Sequence, residues 1–300
     1  MYDVIVIGGG PAGLTAATYL RRAEKTVLVI EKNAFGGQIT WSPRVENFPG
    51  FVSISGTELG DKLLEQAMEQ GAEVELDEVS GLEKTADGFR VDCVSGANFE
   101  ARAVILATGA KPRLLGVANE ENLVGSGVSF CAVCDGAFYK GRRVAVCGGG
   151  NSALQDAVLL SESCEHVTII HRRDSFRGEA KLVETLRGKA NVDFLLNAAV
   201  VEIKGEDELS GIVVDQNGIK TELALDGLFV AVGHEPDHKA FADYLVLGKG
   251  GYAAAGEDCL TPTPGLFVAG DCRAKTVRQL TTAAADGAVA ALAACHYLDD

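Results

Sequence analysis

One glycine-rich hexapeptide, set between an apolar strand and a helical pattern, occurs twice in this chain at a shift of 140 residues. Gly8-Gly9-Gly10-Pro11-Ala12-Gly13 follows Val4-Ile5-Val6-Ile7 and precedes Leu14, Ala17 and Leu20. Gly148-Gly149-Gly150-Asn151-Ser152-Ala153 follows Val144-Ala145-Val146-Cys147. Val4, Val6, Gly8, Gly9, Gly10, Leu14, Ala17, Leu20 and Val27 all recur at the equivalent places of the second copy. Four successive apolar residues suit a parallel strand covered on both faces, and glycines between such a strand and a helix leave backbone N–H groups facing a pyrophosphate. The chain is therefore expected to be α/β, with two Rossmann-like, three-layer nucleotide-binding domains.

Their arrangement follows from the strands that close each copy. Both units continue into short alternating strands, Glu73 to Phe99 and Val192 to Thr221, and then into an apolar strand ending in glycine, Ala103 to Gly109 and Gly227 to Gly233. A third such strand, Gly265 to Asp271, has no fingerprint of its own, so it is expected to complete the first sheet. The second domain is then inserted into the first. Proline-containing stretches at Lys111-Pro112 and His234-Glu235-Pro236 mark the junctions, giving domains 1–112 and 237–300 around 113–236.

Composition excludes several functions. With 27 basic and 42 acidic residues the net charge is −15, which repels a phosphate backbone and argues against nucleic-acid binding. The most apolar stretch, Ala283 to Cys295, is interrupted by Asp286, so no membrane span is expected. The opening Met1-Tyr2-Asp3 lacks a basic stretch, which reads as no secretory signal and a cytoplasmic protein. Eight cysteines among 300 residues are too few for a disulfide scaffold. Cys93, Cys147, Cys164, Cys259 and Cys295 read as small buried hydrophobes, while Cys272 adjoins Asp271 and is left open.

The chemistry-bearing residues fall at particular places on this frame. Gly8 makes the tight turn, Gly10 admits the pyrophosphate and Gly13 lets helix pack on strand; Glu31 ends the second strand, where it can accept bonds from two ribose hydroxyls. The matching place in the second copy holds His171-Arg172-Arg173, with Arg177 beyond. Guanidinium groups bind a 2′-phosphate that a carboxylate would repel, so the second site is expected to take NADPH rather than NADH, unless the cluster is a solvated basic face. Cys131-Ala132-Val133-Cys134 is the one closely spaced cysteine pair. It lacks a second ligand pair for zinc, and an electron source nearby favours a dithiol that cycles to a disulfide. Asp135 either exchanges protons with those thiols or forms the turn before Gly136. In the tail, Asp271 at a strand end suits a ribityl hydroxyl or a helix cap. The helix opened by Arg278-Gln279 presents its N-terminus to a reduced flavin, and Asp286 reads as helix packing.

Together GGGPAG at 8–13, GGQ at 36–38, VENFPG at 45–50, ATG at 107–109, CAVCDG at 131–136, GGGNSA at 148–153, HRRDSFR at 171–177 and GDCRAKTVRQLTTA at 270–283 make the chain resemble, over its whole length, the low-molecular-weight thioredoxin reductases of bacteria. The resemblance implies a homodimer that passes electrons from NADPH through FAD and the dithiol to thioredoxin or a thioredoxin-like protein. It implies FAD held by Gly8, Gly10, Pro11, Ala12, Gly13, Glu31, Gly37, Gln38, Asn47, Ala107, Gly109, Asp271, Arg278 and Gln279. NADPH would be held by Gly148, Gly150, Asn151, Ser152, Ala153, His171, Arg172, Arg173 and Arg177. Cys134 resembles the thiol facing the flavin, Cys131 the one attacking the substrate disulfide, and Asp135 the associated acid. It also implies an inserted domain that turns on its two linkers, so that dithiol and NADPH reach the flavin alternately. Three positions depart from the family pattern: Ala137 in place of an aromatic residue, Gln155-Asp156 in place of paired glutamates, and Cys272 in place of valine. The rival readings are the same fold fed by ferredoxin or acting as a dithiol oxidase, and a catalytically idle nucleotide sensor. The arginine cluster disfavours the first two and the intact cysteine pair the last.

Overall fold

Neighbouring residues of the first strand, β1 (Tyr2–Ile7), face opposite ways, and both faces are covered: Val4 and Val6 enter one apolar cluster, Ile5 and Ile7 another. The same division runs through β2 (Val27–Glu31), where Val27 and Val29 join the first cluster and Leu28 and Ile30 the second. A strand buried on both faces has no polar side to show in its sequence, which is why these segments read as continuous apolar runs. The computed structural model describes all 300 residues. They divide into a first unit, Met1–Lys111 with Glu235–Asp300, and an inserted unit, Pro112–His234.

In the first unit, helix α1 (Pro11–Arg22) joins β1 to β2. Helix α2 (Gly56–Glu69) precedes β3 (Glu73–Leu76), β4 (Val79–Lys84), β5 (Phe89–Cys93) and β6 (Asn98–Leu106). Strands β3, β2, β1 and β6 run parallel in that order. β6 is a fork: beside β1 along its second half, it pairs antiparallel with β5 through Asn98 to Ala101 on its other edge. Its burial changes accordingly, from alternating exposure at Asn98 to Ala101 to four successive buried residues at Ala103 to Leu106. Start signals at the helices are local. Ser55 caps α2 by accepting the Glu58 N–H at 3.1 Å, and Gly10 with Pro11 opens α1.

The chain leaves the first unit through β7 (Lys111–Pro112). The inserted unit comprises β8 (Val128–Ser129), the short α3 (Ala132–Asp135), β9 (Arg143–Cys147), α4 (Asn151–Ser161), β10 (His166–His171), α5 (Ala180–Arg187), β11 (Val192–Leu196), the three strands β12 (Ala198–Lys204), β13 (Gly211–Gln216) and β14 (Ile219–Ala224), and β15 (Gly227–Val230). Five parallel strands form its main sheet in the order β11-β10-β9-β15-β8, and β12 to β14 form an antiparallel meander. Again both faces are covered: Val144, Val146 and Ile169 pack on the helical side, and Ala145, Cys147 and Ile170 pack with the meander.

The return strand β16 (His234–Glu235) pairs with β7 as a two-stranded ladder. β17 (Leu266–Val268) then lies parallel to β6, matching Leu266 to Val104 and Val268 to Leu106, so the first sheet is completed from the far end of the chain. The final helix α6 (Leu280–Asp299) covers that sheet beside α1 through small residues on both helices, Ala12, Ala16 and Ala17 against Ala283, Ala290, Ala291 and Ala294. Gly287 permits the closest approach, since a Cβ there would stand 2.1 Å from the Ala12 carbonyl oxygen. No helix is long and apolar enough to cross a membrane.

Candidate functional site

The first glycine loop is dictated by steric crowding on one side and openness on the other. Gly8 has φ +109°, and a Cβ on it would lie 2.3 Å from the Ala107 carbonyl oxygen; a Cβ on Gly13 would lie 1.9 Å from the Gly8 carbonyl oxygen. Nothing stands within 4 Å of the place a Gly10 Cβ would take, so the open side of the turn is where Gly10 caps α1. Ala12 is buried in the same helix face. Glu31, at the end of β2, is turned back to this loop: one oxygen accepts the Gly9 N–H at 2.7 Å and the other the Asn33 N–H at 2.9 Å. One lone pair on each oxygen remains for further donors. Gly8, Glu31, Thr108 and Gly109 line one cavity of about 420 Å³, to which Lys32, Asp77 and Lys239 add polar walls.

Other expected residues of this unit are not among those lining that cavity and form two further groups. Gln38, in the 3-10 turn Gly37–Trp41, donates from Nε2 to the Ala110 carbonyl at 2.9 Å, beside Gly109. Asn47 donates to Gln279 Oε1 at 3.3 Å, and Gln279 caps α6 with a reciprocal bond to Thr282. Asp271 sits in the turn Gly270–Cys272; Arg278 donates to its carbonyl at 3.2 Å and lies 3.9 Å above the Tyr252 ring. Two buried oxygens of this unit have no hydrogen-bond partner, Thr108 Oγ1 and Asp271 Oδ1, the latter 3.7 Å from Lys275 Nζ. Burial pushes the Asp271 carboxyl up, against the pull of Lys275 and Arg278. A buried oxygen left without a donor is the observation expected where a ligand hydroxyl belongs.

What holds this tail was not evident from sequence. Asp286, expected as helix packing, is a buried hub. Its carboxylate accepts the Gly270 N–H at 3.0 Å, Arg273 Nε and Nη2 at 3.1 and 2.9 Å, and Lys275 Nζ at 3.0 Å. Despite the opposing effect of burial, Arg273 and Lys275 hold its pKa below the usual carboxylate range. Its contribution to stability is therefore present above the ordinary carboxylate pKa and lost as pH falls through the lowered one. Replacing Asp286 by Ala takes the buried carboxylate away from Arg273 and Lys275 and is expected to destabilise the first unit by about 3–5 kcal/mol, read as a lower denaturation midpoint.

In the inserted unit, Cys131 and Cys134 form a disulfide across 5.3 Å between their Cα atoms. Cys131 caps the short α3, and the Cys134 N–H is 3.2 Å from Cys131 Sγ. Asp135 follows directly, ends α3 and carries a carboxyl whose Oδ1 is buried. Ser129 Oγ donates to its Oδ2 at 2.6 Å and accepts the Cys131 N–H at 3.1 Å, while Oδ1 is buried with no partner. Burial pushes the Asp135 pKa up against that one hydrogen bond. Val133, between the cysteines, is 59% exposed, so the pair lies at a surface.

The second glycine loop repeats the first. Gly148 has φ +154° with the Ala231 carbonyl 2.5 Å from its absent Cβ, and Ala153, replacing the third glycine, packs against that same point. Gly150 is open and caps α4. Asn151 does not line the cavity here; its side chain exchanges bonds with Glu179 at 3.0 and 2.8 Å. His171 is buried, stacked on Phe176 at 5.3 Å, with Nε2 donating to the Ser175 carbonyl at 3.1 Å. Burial first, then the neighbouring arginines, lower its pKa, so it is neutral near pH 7. The segment behind it is tied to the glycine loop by the Arg177 N–H bonded to the Gly149 carbonyl at 2.8 Å. Gly148, Gly150, Ser152, His171, Arg172 and Arg177 line a cavity of about 520 Å³; Arg173 is exposed and off its wall.

Likeness to known proteins agrees with these two nucleotide loops and the disulfide. The family profile described as pyridine nucleotide-disulphide oxidoreductase matches residues 2–287. The chain is 42% identical over 305 residues to the thioredoxin reductase of Listeria monocytogenes, covering 100% of this chain and 95% of that one. It is 41% identical over 305 residues to that of Bacillus subtilis, covering 100% and 96%. The crystal structure of thioredoxin reductase from Streptococcus pyogenes matches at a TM-score of 0.94 and 39% identity, covering 100% of this chain and 98% of that one. The chain belongs to the pyridine nucleotide-disulphide oxidoreductase family, among its thioredoxin reductases.

Proposed function

We propose that this enzyme carries FAD in the first unit and NADPH in the inserted unit, and reduces the disulfide of thioredoxin or a thioredoxin-like protein through Cys131 and Cys134. The observation that carries the reading is that disulfide, surface-placed and followed by a buried carboxyl, in the same unit as an arginine-flanked nucleotide cavity. The residues present fit both cofactors. Asp271 Oδ1 and Thr108 Oγ1 lack hydrogen bonds that ligand hydroxyls would supply, Glu31 has acceptor capacity facing its cavity, and Gly10 and Gly150 leave open backbone for a pyrophosphate. FAD supplies the two-electron chemistry that links hydride from NADPH to the disulfide.

The protein's own groups then perform the exchange. The Cys134 N–H is directed at Cys131 Sγ in the disulfide, and the same bond in the reduced pair would stabilise a Cys131 thiolate and make Cys131 the attacking group. Its attack on a substrate disulfide forms a mixed disulfide and expels a substrate thiolate, which takes a proton through Asp135, the neighbouring carboxyl whose pKa burial raises. The Cys134 thiol passes its proton to the resulting carboxylate and attacks Cys131 Sγ, restoring the Cys131–Cys134 bond and releasing the second substrate thiolate. Because dithiol and nucleotide cavity share one unit and both serve one flavin, they take turns, the inserted unit moving on its paired linkers β7 and β16. The −15 charge leaves nucleic acid out of this reading. A homodimer and a cytoplasmic location complete it by likeness to the family.

Steady-state assay with oxidised thioredoxin is expected to give NADPH-driven turnover at least about tenfold faster than with NADH at equal concentration, since the 2′-phosphate gains charge-assisted bonds to Arg172 and Arg177. Equal rates with the two nucleotides would remove the arginine assignment, and no turnover with either would remove the proposed activity.

A further inference from the structure

The nucleotide cavity of the inserted unit has a single carboxylate on its wall, Asp156, among the cations Arg113, Arg172 and Arg177 and the imidazoles of His171 and His234. Asp156 follows Ser152 by one helical turn on α4, so both face the cavity from the same side of that helix. Six residues beyond Gly150, it lies about 9 Å along the helix from that cap, where free N–H groups can receive a pyrophosphate. The mechanism above makes no use of it. An ionised acid at that place is unfavourable for a polyanionic ligand unless the part of the ligand it meets carries no phosphate. In a pyridine dinucleotide that part is the nicotinamide half, whose ring is cationic when oxidised and neutral when reduced.

We propose that Asp156 is a specificity-determining residue of this cavity, whose carboxylate favours the oxidised, cationic nucleotide over the reduced, neutral one and so makes product retention depend on pH. The inference rests on reading the cavity as the NADPH site. Burial in this wall raises the Asp156 pKa to about 7, which places its charge change at neutral pH. The charged groups on elements packed against α4 are Asp135 on α3, Lys181, Glu184 and Arg187 on α5, Arg143 on β9, and His166 and His171 on β10. Burial alone accounts for the shift at Asp156. A group with a raised pKa gains its negative charge as pH increases, so affinity for NADP⁺ relative to a reduced nucleotide rises with pH. By linkage, NADP⁺ binding releases a proton from Asp156 near neutrality.

The test uses the flavin-loaded enzyme and two ligands that transfer no hydride to it, NADP⁺ and tetrahydro-NADP, a reduced analogue with a neutral ring. Their dissociation constants are measured by calorimetry between about pH 5.5 and about pH 8.5, spanning the titration of a group near 7. Titration of the 2′-phosphate is common to both ligands and cancels in the ratio of constants. The ratio is expected to move about three- to tenfold toward NADP⁺ across this range, the effect of one partly screened charge a few ångströms away. In Asp156→Asn, checked for an unchanged flavin spectrum, the ratio becomes flat with pH. A flat ratio in the unsubstituted enzyme, or an undiminished slope in Asp156→Asn, overturns the proposal. Failure of both ligands to bind, or binding indifferent to removal of the 2′-phosphate, would instead overturn the NADPH-site reading beneath it.

Discussion

Replacing Cys134 by Ser abolishes thioredoxin reduction, by about 10³-fold or more, while NADPH still bleaches the flavin. The size follows from the chemistry being all or none. A hydroxyl cannot close the bond to Cys131 Sγ, so electrons on the flavin have no route to the surface and a mixed disulfide at Cys131 has no internal thiol to resolve it. The nucleotide loop at Gly148 to Gly150 belongs to a different strand and helix, β9 and α4, and is untouched by the change. Stopped-flow absorbance separates the two half-reactions. A variant that lost both, or kept both, would contradict the assignment of Cys134 as the electron acceptor from the flavin.

Replacing Arg172, Arg173 and Arg177 together by Ala lowers kcat/KM for NADPH by about 10²-fold and leaves that for NADH nearly unchanged. Two charge-assisted bonds of about 1.5–3 kcal/mol each, discounted for the exposure of these side chains, correspond to roughly that ratio. The structure orders the single variants. Arg172 and Arg177 line the cavity and Arg173 does not, so Arg173→Ala is expected to have the smallest effect of the three. The comparison of NADPH with NADH cancels any general loss of stability, because both substrates meet the same protein.

How much of this was legible in the sequence depends on the range of the interactions concerned. The strands and glycine loops were, because a doubly covered parallel strand must be apolar throughout and because the sterics at Gly8, Gly13 and Gly148 are set within one strand-turn-helix. The return of Leu266–Val268 to β6 was also legible, as an apolar strand with no loop of its own. Helix α2 is weakly marked in sequence because its buried face is only Gly56, Leu59, Gly60 and Ala67, although Ser55 and Glu58 carry a capping signal. Asp286 was read as packing because its partners Arg273 and Lys275 come from a loop that precedes its helix, and a loop's path cannot be read from periodicity. Asp156 stood out only as a departure from family pattern. Its significance lies in its place on a cavity wall to which β12, distant in sequence, contributes Ala198 and Val200. Cys295, expected buried with the other single cysteines, is partly exposed on α6.

The central claim is that electrons pass from NADPH to the flavin and from the flavin, through Cys131 and Cys134, to thioredoxin. Anaerobic mixing with NADPH, followed by oxidised thioredoxin, tests it in one cuvette. The flavin absorbance is expected to bleach with NADPH and to return on addition of thioredoxin, with two thiols appearing on thioredoxin for each NADPH consumed. Flavin that stays oxidised with NADPH and bleaches with reduced ferredoxin, or reduced flavin that thioredoxin leaves bleached, would contradict it.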